Sequence, residues 1–166
     1  YDACDGLITG YTDEDGYSQS ATATVDGKRE IAVVLGVSDQ SYRAAELRYL
    51  MEYANENFEY VLLDSAGTFV RKINIKEAKD LKLKTATGSD FSATINVADK
   101  DNITREIVLN EEVVAPVATG DKVGEVVYSI EGKEIGRADL VAAEDAERAG
   151  WLTRLIRKIL EWLGIN

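Results

Sequence analysis

The chain has 166 residues, 45 % of them apolar, which is enough for a core in one ordinary domain or two small ones. Thirty acidic against 19 basic side chains leave a formal net charge of −11, which speaks against a nucleic-acid partner because phosphate binding needs a basic surface. No histidine is present, so the commonest general base and the commonest metal ligand are missing, and the single cysteine excludes an intrachain disulfide.

Three strands are predicted first, over residues 7–11, 17–25 and 31–37. In the second, Ala21, Ala23 and Val25 alternate with Ser20, Thr22 and Thr24. The third is a nearly continuous apolar run from Ile31 to Leu35, the pattern of a strand buried on both faces. Asp26-Gly27 between them is a tight-hairpin signal, and residues 13–16 make the preceding turn. Cys4 has no histidine to activate it and reads as a small, half-buried strand residue.

A helix is predicted over residues 41–57, with Leu47, Leu50, Met51, Ala54 and Phe58 forming one apolar stripe and Ser38, Asp39 and Ser41 as candidate caps. Short strands with polar turns follow: 60–63, 68–75, 81–85, 92–97, 105–109, 113–116, 122–130 and 133–141. Residues 65–67, 86–89, 99–102 and 131–133 read as turns. That spacing predicts a small β-sandwich or barrel. The acidic clusters Asp13-Glu14-Asp15, 99–101 and Glu111-Glu112 lack the spacing of a calcium loop and read as solvated turns, so no metal site and no cofactor is expected. No serine stands three residues before a lysine, so no Ser/Lys nucleophile pair is present.

The last segment reverses the charge. Residues 151–166 sum to +2, leaving −13 on the other 150. Trp151, Leu152, Leu155, Ile156, Ile159, Leu160, Trp162 and Leu163 fall on one side of a helix. Thr153, Arg154, Arg157, Lys158 and Glu161 fall on the other. A basic amphipathic helix with tryptophans at both ends of its apolar face suits a membrane surface, with Arg154, Arg157 and Lys158 toward the headgroups. Packing on the protein itself and docking in a partner's groove are the competing readings. No apolar run approaches the roughly 20 residues of a spanning helix. A chain that starts at Tyr1 without a signal sequence suits a fragment or processed product, and leaves export open.

Asp5-Gly6-Leu7-Ile8-Thr9-Gly10-Tyr11-Thr12 resembles the D-G-[ILV]-K-T-G-[YHF]-T block of the serine D-Ala-D-Ala carboxypeptidases, low-molecular-mass penicillin-binding proteins. Thr9 and Gly10 match, while Ile8 stands where the motif has lysine. The Ala-rich strand around Ala21, the run 31–36 and the helix ending near Ala54 resemble the strands and helix that follow in that family. The order of these parts is more specific than any one of them.

The resemblance implies an α+β fold. Residues 1–58 would be the C-terminal end of the catalytic domain, three antiparallel strands plus a helix. Residues 59–141 would form a β-sandwich stem, and residues 142–166 a linker and amphipathic membrane anchor. It implies that Thr9 and Gly10 help bind the substrate carboxylate in the intact parent, whereas in the isolated chain Thr9 reads as an ordinary strand threonine. The parent would trim peptidoglycan stem peptides, exported and peripheral on the outer face of the bacterial cytoplasmic membrane. The S-x-x-K nucleophile and the S-x-N motif are absent, so no catalytic residue is assigned and the isolated chain is expected to be inactive. The alternative is a non-catalytic membrane-surface module that works with cell-wall synthesis proteins.

Overall fold

Two tight turns set much of the register. Asp26 and Gly27 both have positive φ, 49° and 77°, and Glu131 and Gly132 repeat this at 49° and 80°. Two such residues in succession form the two-residue turn whose twist matches that of paired strands. The first joins β2 (Gly16–Val25) to β3 (Lys28–Val37) with Val25 opposite Lys28; the second joins β9 (Lys122–Ile130) to β10 (Lys133–Ala142) with Ile130 opposite Lys133.

The computed structural model describes residues 1–164. Ile165 and Asn166, the end of the expected anchor segment, lie outside the described residues, as does the side chain of Glu161. The chain divides into two compact units: Tyr1–Val61 with Thr94–Asp101, and Leu62–Ala93 with the chain from Asn102 onward.

In the first unit, β1 (Cys4–Thr12), β2 and β3 form an antiparallel sheet in that order. Helix α1 (Gln40–Asn57) starts at Asp39, whose carboxylate accepts the Ser41 backbone N–H at 2.8 Å. The bonds from Ser41 hold the Asp39 carboxyl below its usual range. Ala21, Ala23 and Ala32 present a flat face to Leu47 and Met51 of α1, and these five are the buried core. Of the expected stripe only Leu47 and Met51 are buried; Leu50 is exposed, and Phe58 has left the helix. The third strand departs from expectation. Only one face of the sheet carries a helix, so Ile31, Val33 and Leu35 on the other face are 67, 54 and 74 % exposed. A continuous apolar run reports that both faces are apolar, not that both are covered within the described residues.

In the second unit, β5 (Phe69–Asn74), β6 (Lys82–Thr87), β10, β9 and β8 (Ile103–Leu109) form a five-stranded sheet in that order, every pair antiparallel. A two-stranded ribbon of β4 (Phe58–Asp64) and β7 (Phe91–Asn96) is shared between the units. Ile73, Leu83, Val126, Tyr128 and Leu140 centre the core, and Leu63 and Phe91 pack onto it. Buried Thr85 and Thr87 donate to the carbonyls of Arg71 and Ser65, at 2.8 and 2.6 Å, so their hydroxyls cost little inside. Residues 113–116 are not a strand: Val114 makes one isolated bridge to Lys76, and Pro116 has no N–H to give a ladder. The expected turn at 99–102 lies in a 3-10 helix, Val97–Asn102. The unit ends in α2 (Trp151–Trp162). Among the described residues no helix is long and apolar enough to cross a membrane.

Candidate functional site

The Ile8-Thr9-Gly10 triplet lies on β1, at an edge of the three-stranded sheet, and all three residues are exposed. Ile8 opposes Ser20, which opposes Val33; directly paired residues share a face, so Ile8 joins the open apolar side of the sheet. Thr9 opposes Gln19 and lies on the face that carries α1, and Gly10 opposes Ser18. A Cβ on Gly10 would meet nothing within 4 Å, so nothing within the chain requires glycine there. Asp5 fixes the start of the strand by accepting the buried Thr22 hydroxyl, with Arg29 3.4 Å away. At the far end the Tyr11 hydroxyl donates to Asp13 at 2.8 Å, and the Tyr11 and Tyr17 rings lie 4.4 Å apart. Cys4 is exposed rather than half-buried, at the start of an edge strand.

Lys28 and Glu30, both buried, went unnoticed in the sequence. The Lys28 ammonium sits 2.7 Å from Glu30 and donates to the carbonyls of Ala54 and Phe58, also at 2.7 Å. It thereby caps the last carbonyls of α1 and ties them to β3. Both residues precede the strand expected over residues 31–37 but belong to β3, and their spacing by two, Lys28 then Glu30, was the available signal.

On α2 the expected faces are segregated as the sequence indicates. Trp151 and Trp162 are 70 and 85 % exposed, and Leu152, Leu155, Ile156, Ile159, Leu160 and Leu163 are also exposed. The cationic face behaves differently. Arg154 donates to Glu77 at 3.2 Å, and Arg157 donates to the carbonyls of Ala78 at 2.6 Å and Lys79 at 3.1 Å. Arg148, just before the helix, donates its Nε to the same Glu77 carboxylate at 2.9 Å. Arg148 first, then Arg154, holds the Glu77 carboxyl below its usual range. Lys158 is exposed.

A cavity of about 330 Å³ in the second unit is lined by Lys79, Asp80, Lys82, Leu83 and residues 144–147. Most of its polar side chains have partners: Lys79 pairs with Glu147, Glu144 with Lys84 at 2.8 Å, Lys82 donates to Asn74 at 2.6 Å, and Asp145 accepts from Thr119 at 2.7 Å. Among the described residues, no three His, Cys, Asp or Glu side chains converge as metal ligands would.

A β-rich unit preceded by a T-G edge strand and followed by an amphipathic helix defines the class: the chain is built like a C-terminal part of the penicillin-binding carboxypeptidases. Residues 58–148 match the family described as penicillin-binding protein 5, C-terminal domain, and the chain belongs to that family. It is 29 % identical to the D-alanyl-D-alanine carboxypeptidase DacF of Bacillus subtilis over 163 residues, 98 % of this chain and 42 % of the relative. It is 33 % identical to DacD of Salmonella typhimurium over 153 residues, 91 % of this chain and 39 % of that one. The crystal structure of the carboxypeptidase DacD from Francisella tularensis superposes with a TM-score of 0.67 at 33 % identity, over 90 % of this chain and 37 % of that one. The chain thus spans about two fifths of the length of the curated relatives it matches.

Proposed function

We propose that this chain is the C-terminal part of an exported D-Ala-D-Ala carboxypeptidase that trims peptidoglycan stem peptides. Residues 1–58 complete a catalytic domain of the penicillin-binding transpeptidase type. Residues 59–141 form a β-sandwich stem that holds the site away from the bilayer. Residues 142–166 link and anchor it to the outer face of the cytoplasmic membrane through the apolar side of α2.

One observation carries this reading. Among the described residues the sheet of the first unit carries a helix on one face, while Ile8, Ile31, Val33 and Leu35 are exposed on its other face and give it the apolar character of a domain interior. Such a face calls for a further layer. The unconstrained space at Gly10 also supports close approach of a substrate or another segment to β1. In this arrangement the Thr9 hydroxyl and the β1 backbone at Gly10 contribute to binding the substrate's terminal carboxylate, and the acyl acceptor is the S-x-x-K serine of the preceding part.

The test is the reading frame ahead of the Tyr1 codon. Continuation through S-x-x-K and S-x-N supports the proposal. A start codon directly ahead of Tyr1, with no such motifs, overturns it.

The second reading is a non-catalytic membrane-surface module that docks cell-wall synthesis proteins. The observation in its favour is Ile8, an exposed apolar side chain at the position where the motif carries a charge.

A further inference from the structure

The two arginines at the centre of the polar side of α2 are spent inside the protein. Arg157 binds two main-chain carbonyls, and Arg154 binds Glu77. Glu77 is the hub of this attachment. Its carboxylate accepts from Arg148 and Arg154, and its carbonyl accepts the Ala149 N–H at 2.8 Å. Next to it the Lys79 N–H donates to the Glu147 carbonyl at 2.9 Å. Glu77 holds this position at φ 57°, a left-handed conformation that residues other than glycine rarely adopt and that costs free energy unless the surroundings enforce it. The attachment therefore fixes which side of α2 faces the protein.

What it leaves outward is broad. At about 100° per residue the eight apolar side chains of α2 and its last turn cover roughly 180° of the helix circumference. A second helix would need only a narrow seam, whereas half a cylinder fits a planar apolar medium. Trp151 and Trp162, the most exposed of these side chains, are of the type that settles at the headgroup level. The other 150 residues, at −13, are repelled by an anionic surface, and Arg154 and Arg157 are not free to offset that repulsion.

We infer that α2 binds a lipid surface through its apolar half, with Arg154 and Arg157 withheld from the headgroups by the Glu77 attachment and the exposed Lys158 left to meet them, so that binding depends little on lipid charge. This rests on the membrane reading of α2 proposed above, and it specifies the lipid chemistry.

The experiment is co-sedimentation of the 166-residue chain with vesicles of phosphatidylcholine, and of phosphatidylcholine and phosphatidylglycerol in equal parts, at low and high salt. Partitioning should agree within about fivefold between the two lipids and between the two salts, the gain that the one exposed cation, Lys158, brings at an anionic surface, since neither arginine is free to add to it. Leu155→Glu with Ile159→Glu, placed on exposed positions, should abolish binding to both vesicles. Glu77→Gln should free Arg148 and Arg154 and add a preference of about fivefold or more for the anionic vesicle, lost at high salt.

Binding confined to the anionic vesicle, or at least tenfold stronger there, would overturn the withholding of the two arginines and leave the membrane reading standing. Binding that survives the double glutamate variant would remove α2 as the lipid contact. No binding to either vesicle would overturn both readings, and a concentration-dependent dimer broken by the same double variant would assign the face to a second copy of the chain.

Discussion

The hydroxyl of Tyr128 donates to Asp64 at 2.7 Å, joining the middle of β9 to the end of β4 inside the second unit. Asp64 also takes two bonds from Arg105 on β8, both 2.9 Å, and Phe91 stacks on the Tyr128 ring at 4.2 Å. Gly136 lets that stack form: a Cβ there would lie 2.6 Å from the Phe91 ring.

Asp64→Ala should therefore destabilise the second unit more than Tyr128→Phe does. The first leaves a buried hydroxyl unpaired, at roughly 1–3 kcal/mol, while the second leaves Asp64 still held by Arg105 and costs about 1 kcal/mol. Urea unfolding of the two variants gives the order directly.

Tyr128 also sets an alkaline limit. Burial first, then the bond to Asp64, pushes its phenol well above the ordinary range. The folded form thus holds the proton more tightly than the unfolded one. Its contribution is complete below the ordinary tyrosine pKa of about 10 and declines as pH rises above it. Unfolding free energies measured from neutral pH upward should fall more steeply for the parent chain than for Tyr128→Phe.

The isolated chain should release no D-alanine from a D-Ala-D-Ala peptide, because it holds no acyl acceptor. In the carboxypeptidase proposed above, Ile8→Lys should raise kcat/KM about ten- to a hundredfold, the worth of one charge-assisted hydrogen bond. A rate unchanged by the lysine would show that the β1 triplet takes no part in the chemistry.

Ile31→Thr with Val33→Thr should lower self-association of the 166-residue chain, since both side chains stand on an open face. The pair should barely change the stability of this chain but, if the proposed catalytic domain covers this face, destabilise that longer protein by several kcal/mol, the cost of placing hydroxyls in a packed layer. Light scattering and thermal unfolding on both lengths of chain separate the two effects.

Local signals carried much of the architecture. Asp26-Gly27 placed its hairpin, and the three-and-four spacing of Leu47 and Met51 placed α1. The two-sided segregation of α2 was legible for the same reason, since its period lies within a few residues. What stayed hidden was set by partners distant along the chain. Nothing beside Arg157 announces the carbonyls of Ala78 and Lys79, and nothing beside Glu77 marks a left-handed residue that collects two arginines. The role of Lys28 was not legible, because the carbonyls it caps lie at the end of α1, far along the chain. At β1 the triplet was readable, but its place on an open face depends on pairing across two strands.

Both tryptophans of the chain lie on α2, at its first and last positions, whereas the eight tyrosines are distributed over the rest. The molecule is therefore its own two-channel fluorimeter. Indole emission reports the polarity around the terminal helix and is nearly blind to unfolding of either sheet, because both rings already face water. Tyrosine emission reports the body of the chain, from the sheets and from α1. A blue shift in the first channel without change in the second marks docking of the helix with the body intact, and the reverse marks a body that melts while its terminal helix stays as it was.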